Sequence, residues 1–152
     1  MTEFRRVYPI KPFLDDRGVS YHDFFWPARE RSYLHNKALL QYQINYSTVN
    51  PGIIKAWHRH KMQDDYFFVL KGNAKVGIIN LEGKPESYCI GENNPAVIHI
   101  RAGEWHGLTP IGNEPCGLMY YVTNRYDPSS PDEERAGYKE FVPEDWWLPK
   151  NE

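Results

Sequence analysis

The stretch HRHKMQDDYFFVLKG, residues 58–72, joins chemically active side chains to an apolar run and a closing glycine. His58 and His60 are two residues apart, so both side chains point to one face if the strand is regular. Asp65 follows them, and the apolar run after it ends at Gly72. The pattern leaves three interpretations open: a metal site, an acid–base site, or the polar end of a strand.

Short β-prone runs recur along the rest of the chain. They are separated by the turn clusters VNPG, EGKP, GENNP and IGNEP, in which glycine, proline and asparagine favour tight turns. Many short strands separated by such clusters are typical of a sandwich or a barrel. We therefore predict an all-β fold with strands near residues 40–47, 52–57, 66–71, 74–81, 86–90, 96–100 and 116–123.

Length and composition exclude several classes of protein. The 152 residues suit one domain, 1–152, whose core needs no disulfides. The net charge is −2 and no lysine or arginine block occurs, which argues against nucleic acid or a membrane as partner. Cys89 and Cys116 form no CxxC motif, and we expect buried thiols in a reducing compartment. Without an apolar leader or a long apolar run, the expectation is a soluble, cytoplasmic protein.

The segment from Asp127 onward is rich in proline and charge. We expect it to wrap the surface as a short tail of loops with a helical turn near 132–137. Trp146 and Trp147 in this tail are costly to leave in water, so they are expected to cover the barrel or a subunit interface.

Several aromatic and histidine residues are expected to be structural. The run 66–68 is assigned to the core, and His35 and His99 are expected to be structural or exposed. Tyr120 and Tyr121 are neighbours on the last predicted strand, so one of them is expected to face a pocket while the other packs outside.

The spacing of the opening stretch resembles the first motif of the cupin proteins. Gly52 is followed after five residues by His58-x-His60, after four more by Asp65, and after six more by Gly72. Aspartate stands where the motif usually carries glutamate. The resemblance implies a cupin jelly-roll barrel, also described as a double-stranded β-helix.

A second segment extends this resemblance. Arg101-x-Gly103-x-x-His106 is similar to the core of the second cupin motif, with arginine in place of proline. The two motifs together are more specific than either alone.

Segments around these motifs resemble the dTDP-4-dehydrorhamnose 3,5-epimerase family, a cupin family of sugar-nucleotide enzymes. The likeness runs from about residue 13 to residue 128 and so covers most of the chain. The matching segments are FLDDRG at 13–18, QINYS at 43–47, GIIKAWH at 52–58, GEWHG at 103–107 and TNRYDP at 123–128.

The resemblance implies roles for the matching residues. His58 stands at the position of the general base, and Tyr126 stands at that of the general acid. Phe13 and Arg17 match a segment that reaches into the neighbouring subunit's site, where the arginine binds the nucleotide's diphosphate, so a homodimer is implied. Lys55 replaces an arginine three residues before the base. The further substrate contacts that we expect are Gln43, Asn45, Lys55, His60, Arg101 and His106.

Such a reaction suits these side chains chemically. A ketone at C4 of a sugar acidifies the C–H bonds at C3 and C5, and histidine has a pKa suited to removing that proton near neutral pH. A tyrosine can return a proton to the opposite face of the ring. The enolate oxygen needs a positive charge or a hydrogen-bond donor, and Arg17 can bind a diphosphate bidentately.

Asp65 departs from the family pattern. It stands where the family usually carries a lysine that stabilises the enolate, and a carboxylate there repels a developing oxyanion. Lys55 and Arg101 are the candidates to substitute, although Lys55 faces away from His58 unless the strand carries a bulge. Asp65 is then expected to be the catalytic partner of His58, raising its basicity and fixing its tautomer.

Three functions remain as alternatives. The leading prediction is a metal-independent epimerase, without cofactor, that acts on a nucleotide-activated 4-keto-6-deoxy sugar. The second is a metal-dependent cupin enzyme, a dioxygenase, isomerase or lyase, that holds iron, manganese or zinc. Its ligands are expected to be His58, His60, Asp65 and His106. The third is a catalytically silent cupin that only binds a sugar nucleotide.

Overall fold

Two antiparallel sheets form the body of the protein in a computed structural model that describes residues 3–34 and 42–150, with the side chains of 31–34 left out. The described part of the chain holds one α-helix, α1 (Trp26–Leu34), and a 3-10 turn at Glu144–Trp146. Its strands are β1 (Val7–Pro9), β2 (Phe13–Asp15), β3 (Gly18–Ser20), β4 (Gln43–Val49), β5 (Lys55–Arg59), β6 (Asp65–Lys71), β7 (Asn73–Ile79), β8 (Pro85–Gly91), β9 (Ala96–Ile100), β10 (Trp105–Pro110), β11 (Cys116–Val122) and β12 (Glu134–Arg135). The all-β prediction is confirmed.

The chain crosses between the two sheets at most of its connections. The first sheet has the order β1-β9-β6-β11-β4, and the second has the order β12-β5-β10-β7-β8. Strands β2 and β3 form a separate hairpin. Because successive strands alternate between the sheets, residues distant in sequence meet in the space between them, as in a jelly roll.

Strand β6 is buried on both of its faces, which explains why its sequence shows no alternation of polar and apolar residues. Phe67 and Val69 belong to the main core cluster with residues of both sheets. Tyr66 and Phe68 belong to a second cluster that includes Ala28 of helix α1. The assignment of residues 66–68 to the core is confirmed.

Most predicted strands are present within a few residues of their expected ends. The run predicted at 40–47 is β4, which begins at Gln43, and residues 40 and 41 lie outside the described residues, as does His35. Strand β10 and helix α1 were not predicted. The sequence of β10, WHGLTP, carries a glycine and a proline, and that of α1, WPARERSYL, has no regular apolar stripe.

The tail covers the outer face of the second sheet. Trp147 is buried in a cluster with Trp57 and Val142, and Trp146 packs against that cluster. A Cβ atom at Gly77 would lie 2.5 Å from Trp147, so β7 accepts these rings only because it lacks a side chain there. The prediction that the two tryptophans cover the barrel is confirmed.

The expected helical turn near 132–137 is wrong. Residues Glu134 and Arg135 form β12, which pairs with the open edge of β5. The Glu134 carboxylate also lies 2.6 Å from the Arg59 guanidinium and 2.8 Å from the Lys61 ammonium, so this acidic segment is held extended by charges on the second sheet. The short helical element of the tail is instead the 3-10 turn at Glu144–Trp146.

One of the two thiols is placed as expected and one is not. Cys116 is buried, whereas Cys89 is exposed because it lies on the solvent face of the edge strand β8. Separately, no helix in the described ranges combines the length and the apolar character needed to cross a membrane.

A buried carboxylate fastens the N-terminal segment to the barrel. Glu104 is fully buried and accepts hydrogen bonds of 2.5 and 2.6 Å from the Arg6 guanidinium. It accepts a further bond of 2.8 Å from the Arg101 guanidinium. Burial acts to raise the pKa of Glu104, but the bonds from Arg6 and Arg101 outweigh it, so the pKa lies below its ordinary value.

We expect the Glu104→Gln variant to lose about 3 kcal/mol of unfolding free energy at pH 7, because it removes the carboxylate that binds the largely buried Arg6 guanidinium through two hydrogen bonds. Since the folded pKa of Glu104 is lowered, its contribution is present above the unfolded pKa of about 4.3 and is lost as the pH falls. Urea unfolding at pH 7 and at pH 4 measures both effects. The exposed Glu82→Gln variant is the control, and equal stability of the two variants would contradict the prediction.

Candidate active site

A cavity of about 1050 Å³ opens between the edge strand β4 of the first sheet and strands β5 and β12 of the second. Seven residues predicted from the sequence line it: Gln43, Asn45, Lys55, His58, His60, Asp65 and Tyr126. His106 is buried beside them, with its ring centroid 4.1 Å from that of His58. The structure therefore gathers eight of the eleven predicted site residues at one place.

A bulge in β5 turns Lys55 and His58 toward the same cavity. His58 pairs with His106, but Lys55 pairs with Leu108, so three steps on β5 oppose two steps on β10. The extra residue on β5 is the bulge that the sequence required for Lys55 to share the face of His58. The two strands also approach closely here, since a Cβ atom at Gly107 would lie 2.6 Å from the carbonyl oxygen of Lys55 and would overlap Ala56.

His58 is held as a neutral imidazole. Burial is the main cause that lowers the pKa of His58 far below its ordinary value, and positive charge on His106, His60 and Lys55 lowers it further. A neutral ring in the cavity wall has a lone pair that can accept a proton from a bound substrate. The described residues supply no hydrogen-bond partner for the His58 side chain.

Among the described residues, the nearest histidine partners of Asp65 are His106 and His60, and its expected pairing with His58 stays a prediction. One carboxylate oxygen of Asp65 lies 3.2 Å from Nε2 of His106 and 3.7 Å from Nε2 of His60. The other oxygen accepts a hydrogen bond of 2.6 Å from the amide of Gln63. Both oxygens of Asp65 are therefore engaged with neighbours other than His58.

Backbone carbonyls fix the tautomers of two histidines. Nδ1 of His106 lies 3.0 Å from the carbonyl oxygen of Glu104, and Nδ1 of His60 contacts the carbonyl oxygen of Asp132. Because a carbonyl only accepts, each Nδ1 must carry the hydrogen, which leaves each Nε2 with a lone pair when the ring is neutral. Both Nε2 atoms face the Asp65 carboxylate, and the buried Nε2 of His106 has no hydrogen-bond partner among the described residues.

This cluster has the donor set of a metal site. One ligand atom from each of His58, His60, Asp65 and His106 can be chosen so that all four lie within 4.8 Å of one another. Three imidazoles and a carboxylate suit iron, manganese or zinc. Carbonyl oxygens that orient histidine rings through Nδ1 are also the usual outer partners of metal-binding histidines. The residues therefore fit a divalent metal ion.

Tyr126 lies at the cavity mouth on the loop that follows β11, and its side chain is 63% exposed. Its backbone N–H donates a hydrogen bond of 3.0 Å to Oε1 of Gln43, and Nε2 of Gln43 donates one of 2.7 Å to Oδ1 of Asn45. Two residues of β4 thus hold the loop that carries the phenol. His58 and Tyr126 line the same cavity, as the sequence comparison required.

Arg101 does not line the cavity of its own chain, and its expected contact with substrate stays a prediction. Its guanidinium is bound to Glu104 and lies 4.1 Å from the ring centroid of Phe4, outside the cavity lining. The Glu104 carboxylate, three residues along the chain, forms an ion pair of 2.8 Å with the guanidinium that the motif match assigned to the site.

Phe13 and Arg17 lie on the β2–β3 hairpin, outside the cavity of their own chain. The Arg17 side chain is 85% exposed, and its guanidinium forms an ion pair of 2.5 Å with Asp15. Their expected role was in a neighbouring subunit's site, so it stays a prediction.

Several cavity residues were given no role from the sequence. Tyr120 lines the cavity and Tyr121 packs outside against Phe25 and Tyr66, so the prediction that the pair divides in this way is confirmed. Asp132 contacts His60 and also accepts the backbone N–H groups of residues 61 and 62. Asp132 reaches the cavity mouth through contacts with residues that are distant in sequence, so no local pattern predicts its place. For Tyr120, the alternation of side chains along β11 is a local signal that indicates the cavity face.

Comparison with known proteins identifies the family. Residues 33–134, more than half of the chain, match the family model described as polysaccharide biosynthesis C-terminal domain. The chain belongs to this family. Among relatives, it is 37% identical over 143 residues to the spore coat polysaccharide biosynthesis protein SpsL of Bacillus subtilis, with 89% of each chain covered.

A second relative of the chain is named as an epimerase. The chain is 44% identical over 100 residues to the "Probable low-salt glycan biosynthesis epimerase Agl13" of Haloferax volcanii. That match covers 61% of this chain and 64% of the relative, so it spans less than two thirds of the relative's length.

The fold has close counterparts among solved structures. The dTDP sugar isomerase from Desulfovibrio desulfuricans superposes with a TM-score of 0.75 at 20% identity, over 95% of this chain and 92% of that one. The predicted cupin jelly roll is confirmed. The epimerase relative is matched over 61% of this chain and the solved structure shows the fold, so the predicted relationship to the sugar-nucleotide epimerase family stays a prediction at this point.

Proposed function

We propose that this protein is an epimerase of a nucleotide-activated 4-keto-6-deoxy sugar, working as a single domain over residues 1–152 without a cofactor. The observation that carries the proposal is that His58 and Tyr126 line one cavity in a family member whose relative is named as an epimerase. A neutral imidazole and an exposed phenol are the base and the acid that inversion of a carbon next to a ketone requires.

In the proposed reaction His58 removes the proton from the carbon next to the ketone. The electron pair of the broken C–H bond forms the enolate, and the charge moves to the ketone oxygen. The Tyr126 phenol then gives its proton to the opposite face of the carbon, and the new C–H bond returns the electron pair of the enolate to carbon. His58 leaves with one extra proton and Tyr126 with one fewer, and both are restored by exchange with water.

The remaining cavity residues position the base and the substrate. Lys55 brings a positive charge into the cavity through the bulge, where it acts on the enolate or on a phosphate. Asp65 is a positioning residue, since it contacts His106 and His60 next to the base. The proposed substrate contacts within the chain are Gln43, Asn45, Lys55, His60 and His106.

We also propose a homodimer in which the β2–β3 hairpin of one chain completes the cavity of the other. Phe13, Leu14 and Val19 on this hairpin expose 51, 80 and 51% of their surface, which is costly for apolar residues unless another surface covers them. Arg17 is carried by the same hairpin, and its guanidinium can bind the diphosphate of a sugar nucleotide bidentately.

The enzyme is proposed to act in the cytoplasm. Cys89 and Cys116 are free thiols in the described structure, which suits a reducing compartment.

The test of the proposed function is hydrogen exchange in D2O. The protein is incubated with dTDP-4-keto-6-deoxyglucose and with its UDP and GDP counterparts, and the C3 and C5 protons are followed by NMR. Loss of a C3 or C5 proton signal together with a new epimer supports the proposal. Binding of the nucleotide sugars without any exchange would support the catalytically silent cupin, and the epimerase would be abandoned.

A metal-dependent cupin enzyme is the second candidate, because Nε2 of His60 and Nε2 of His106 converge on Asp65 beside His58. A bound divalent ion would act there as a Lewis acid. The two candidates differ in metal content and in the effect of a chelator.

Under the leading proposal we expect full epimerase activity after dialysis against EDTA, and about the same low metal content in the wild type and in the His60→Ala variant. Elemental analysis of the purified proteins measures this. The His22→Ala variant, which removes an exposed histidine outside the cluster, serves as the control for metal content. Stoichiometric metal in the wild type, lost together with activity in His60→Ala, would favour the metal-dependent enzyme.

A further inference from the structure

A chain of hydrogen bonds crosses β4 and leads from the loop of Tyr126 to Tyr120 on β11. The backbone N–H of Tyr126 can only donate, so the atom of Gln43 that faces it must be the oxygen. Nε2 of Gln43 is then turned toward Asn45, whose oxygen must accept. The amide nitrogen of Asn45 is left to face Tyr120, which lies directly opposite it in the β4–β11 register.

The Tyr120 side chain is therefore the neighbour toward which the Asn45 nitrogen is turned. A donor interaction from Asn45 acts to lower the Tyr120 pKa, in keeping with this orientation. A hydroxyl has one hydrogen to donate, and here that hydrogen is not used by Asn45. Because the orientations of the two amides follow from one backbone N–H, the group of Asn45 that is turned toward Tyr120 is its nitrogen.

The surroundings keep the Tyr120 phenol protonated in the wall of the cavity. The ring is half-buried, lines the cavity and packs edge-on to Phe67. Burial raises the pKa of Tyr120 first, and the negative charge of Asp65 raises it second. The charge of Asp65 therefore preserves the hydrogen that Tyr120 donates, although it would repel an unshielded oxyanion.

We propose that Tyr120 is a further catalytic residue, which donates a hydrogen bond to the enolate oxygen of the substrate; this inference rests on the proposed epimerase function. The dTDP-4-dehydrorhamnose 3,5-epimerase family usually has a lysine, here replaced by Asp65, that stabilises the enolate. The neutral phenol of Tyr120 is proposed to supply that hydrogen bond instead. The O–H bond of Tyr120 stays intact throughout, since the proton from carbon goes to His58 and the incoming one comes from Tyr126. A hydrogen bond that strengthens as charge develops on the oxygen lowers the barrier.

We expect Tyr120→Phe to lower kcat for epimerisation about 100-fold, with KM within about threefold of the wild type. Exchange of the C–H proton in D2O falls by the same factor, because the enolate is formed in both processes. The matched control is Tyr121→Phe, which removes a hydroxyl from the same strand on the opposite face and is expected to keep activity within twofold. Thermal unfolding followed by circular dichroism checks that both variants fold.

A second variant tests the direction of the hydrogen bonds. Gln43→Glu keeps an oxygen for the N–H of Tyr126 but cannot donate to Asn45. The Asn45 amide then turns over to donate to the new carboxylate, and its oxygen captures the hydrogen of Tyr120. We expect a fall in kcat of about tenfold in the wild-type background and little further fall in the Tyr120→Phe background.

The outcomes separate this inference from the proposed function. An active wild type with Tyr120→Phe within twofold of it overturns the inference alone. So does an additive double variant, or a Tyr120→Phe variant that loses inversion but keeps exchange. A wild type that exchanges no proton with any of the nucleotide keto-sugars overturns the proposed function and removes the basis of the inference.

Discussion

Replacing His58 by alanine is expected to lower both epimerisation and C–H exchange about 10⁴-fold, which is the upper end of what a positioned base contributes. The imidazole is neutral because burial and neighbouring positive charge hold its pKa far below the ordinary value, so it accepts a proton without first losing one. In the alanine variant the cavity wall lacks that base, and neither process can begin.

The expected result for His58→Ala is measured by NMR in D2O, with exchange and inversion followed in one sample. Glu82→Ala, a change at an exposed turn residue outside the cavity, is the control for activity, and thermal unfolding is expected to show that both variants fold. Exchange that stays within tenfold of the wild type in His58→Ala would remove His58 from its role as the base.

Replacing Tyr126 by phenylalanine is expected to separate the two processes. Inversion falls about 10³-fold because the opposite face of the enolate has no proton donor, whereas exchange stays within tenfold because His58 still removes and returns a proton on its own face. The recovered sugar then carries deuterium with its original configuration. Gln43 still holds the loop, since it binds the backbone and not the phenol.

The control for Tyr126→Phe is Tyr46→Phe, which removes the hydroxyl of another exposed tyrosine at the cavity mouth. It is expected to leave both rates within twofold. If exchange and inversion fell by the same large factor in Tyr126→Phe, the acid on the opposite face would have to be sought elsewhere in the cavity.

Local sequence patterns were sufficient to predict the barrel fold and the positions of some site residues. The turn clusters located most of the strands, and the two-residue spacing of His58 and His60 brought both side chains to the cavity. The need for a bulge at Lys55 could be stated from strand geometry alone, and β5 contains it. These features depend on residues close together in sequence, which is why the sequence predicts them.

The errors arose where distant residues decide the outcome. The acidic run at 132–135 resembles a solvated helical turn locally, but Arg59 and Lys61 on the open edge of β5 hold Glu134 extended. The ion pairs formed in the folded chain override the local pattern, and these partners can be identified only once the strands are placed.

Gly107 limits how this cavity could be remodelled for other substrates. Any side chain at that position would push the bulged strand off its neighbour, and the spacing of the base and of Lys55 would change together. A directed-evolution library aimed at new sugars should therefore leave position 107 untouched. Its diversity is better placed on cavity-lining positions that hold no reacting group, such as Met62 and Ser130.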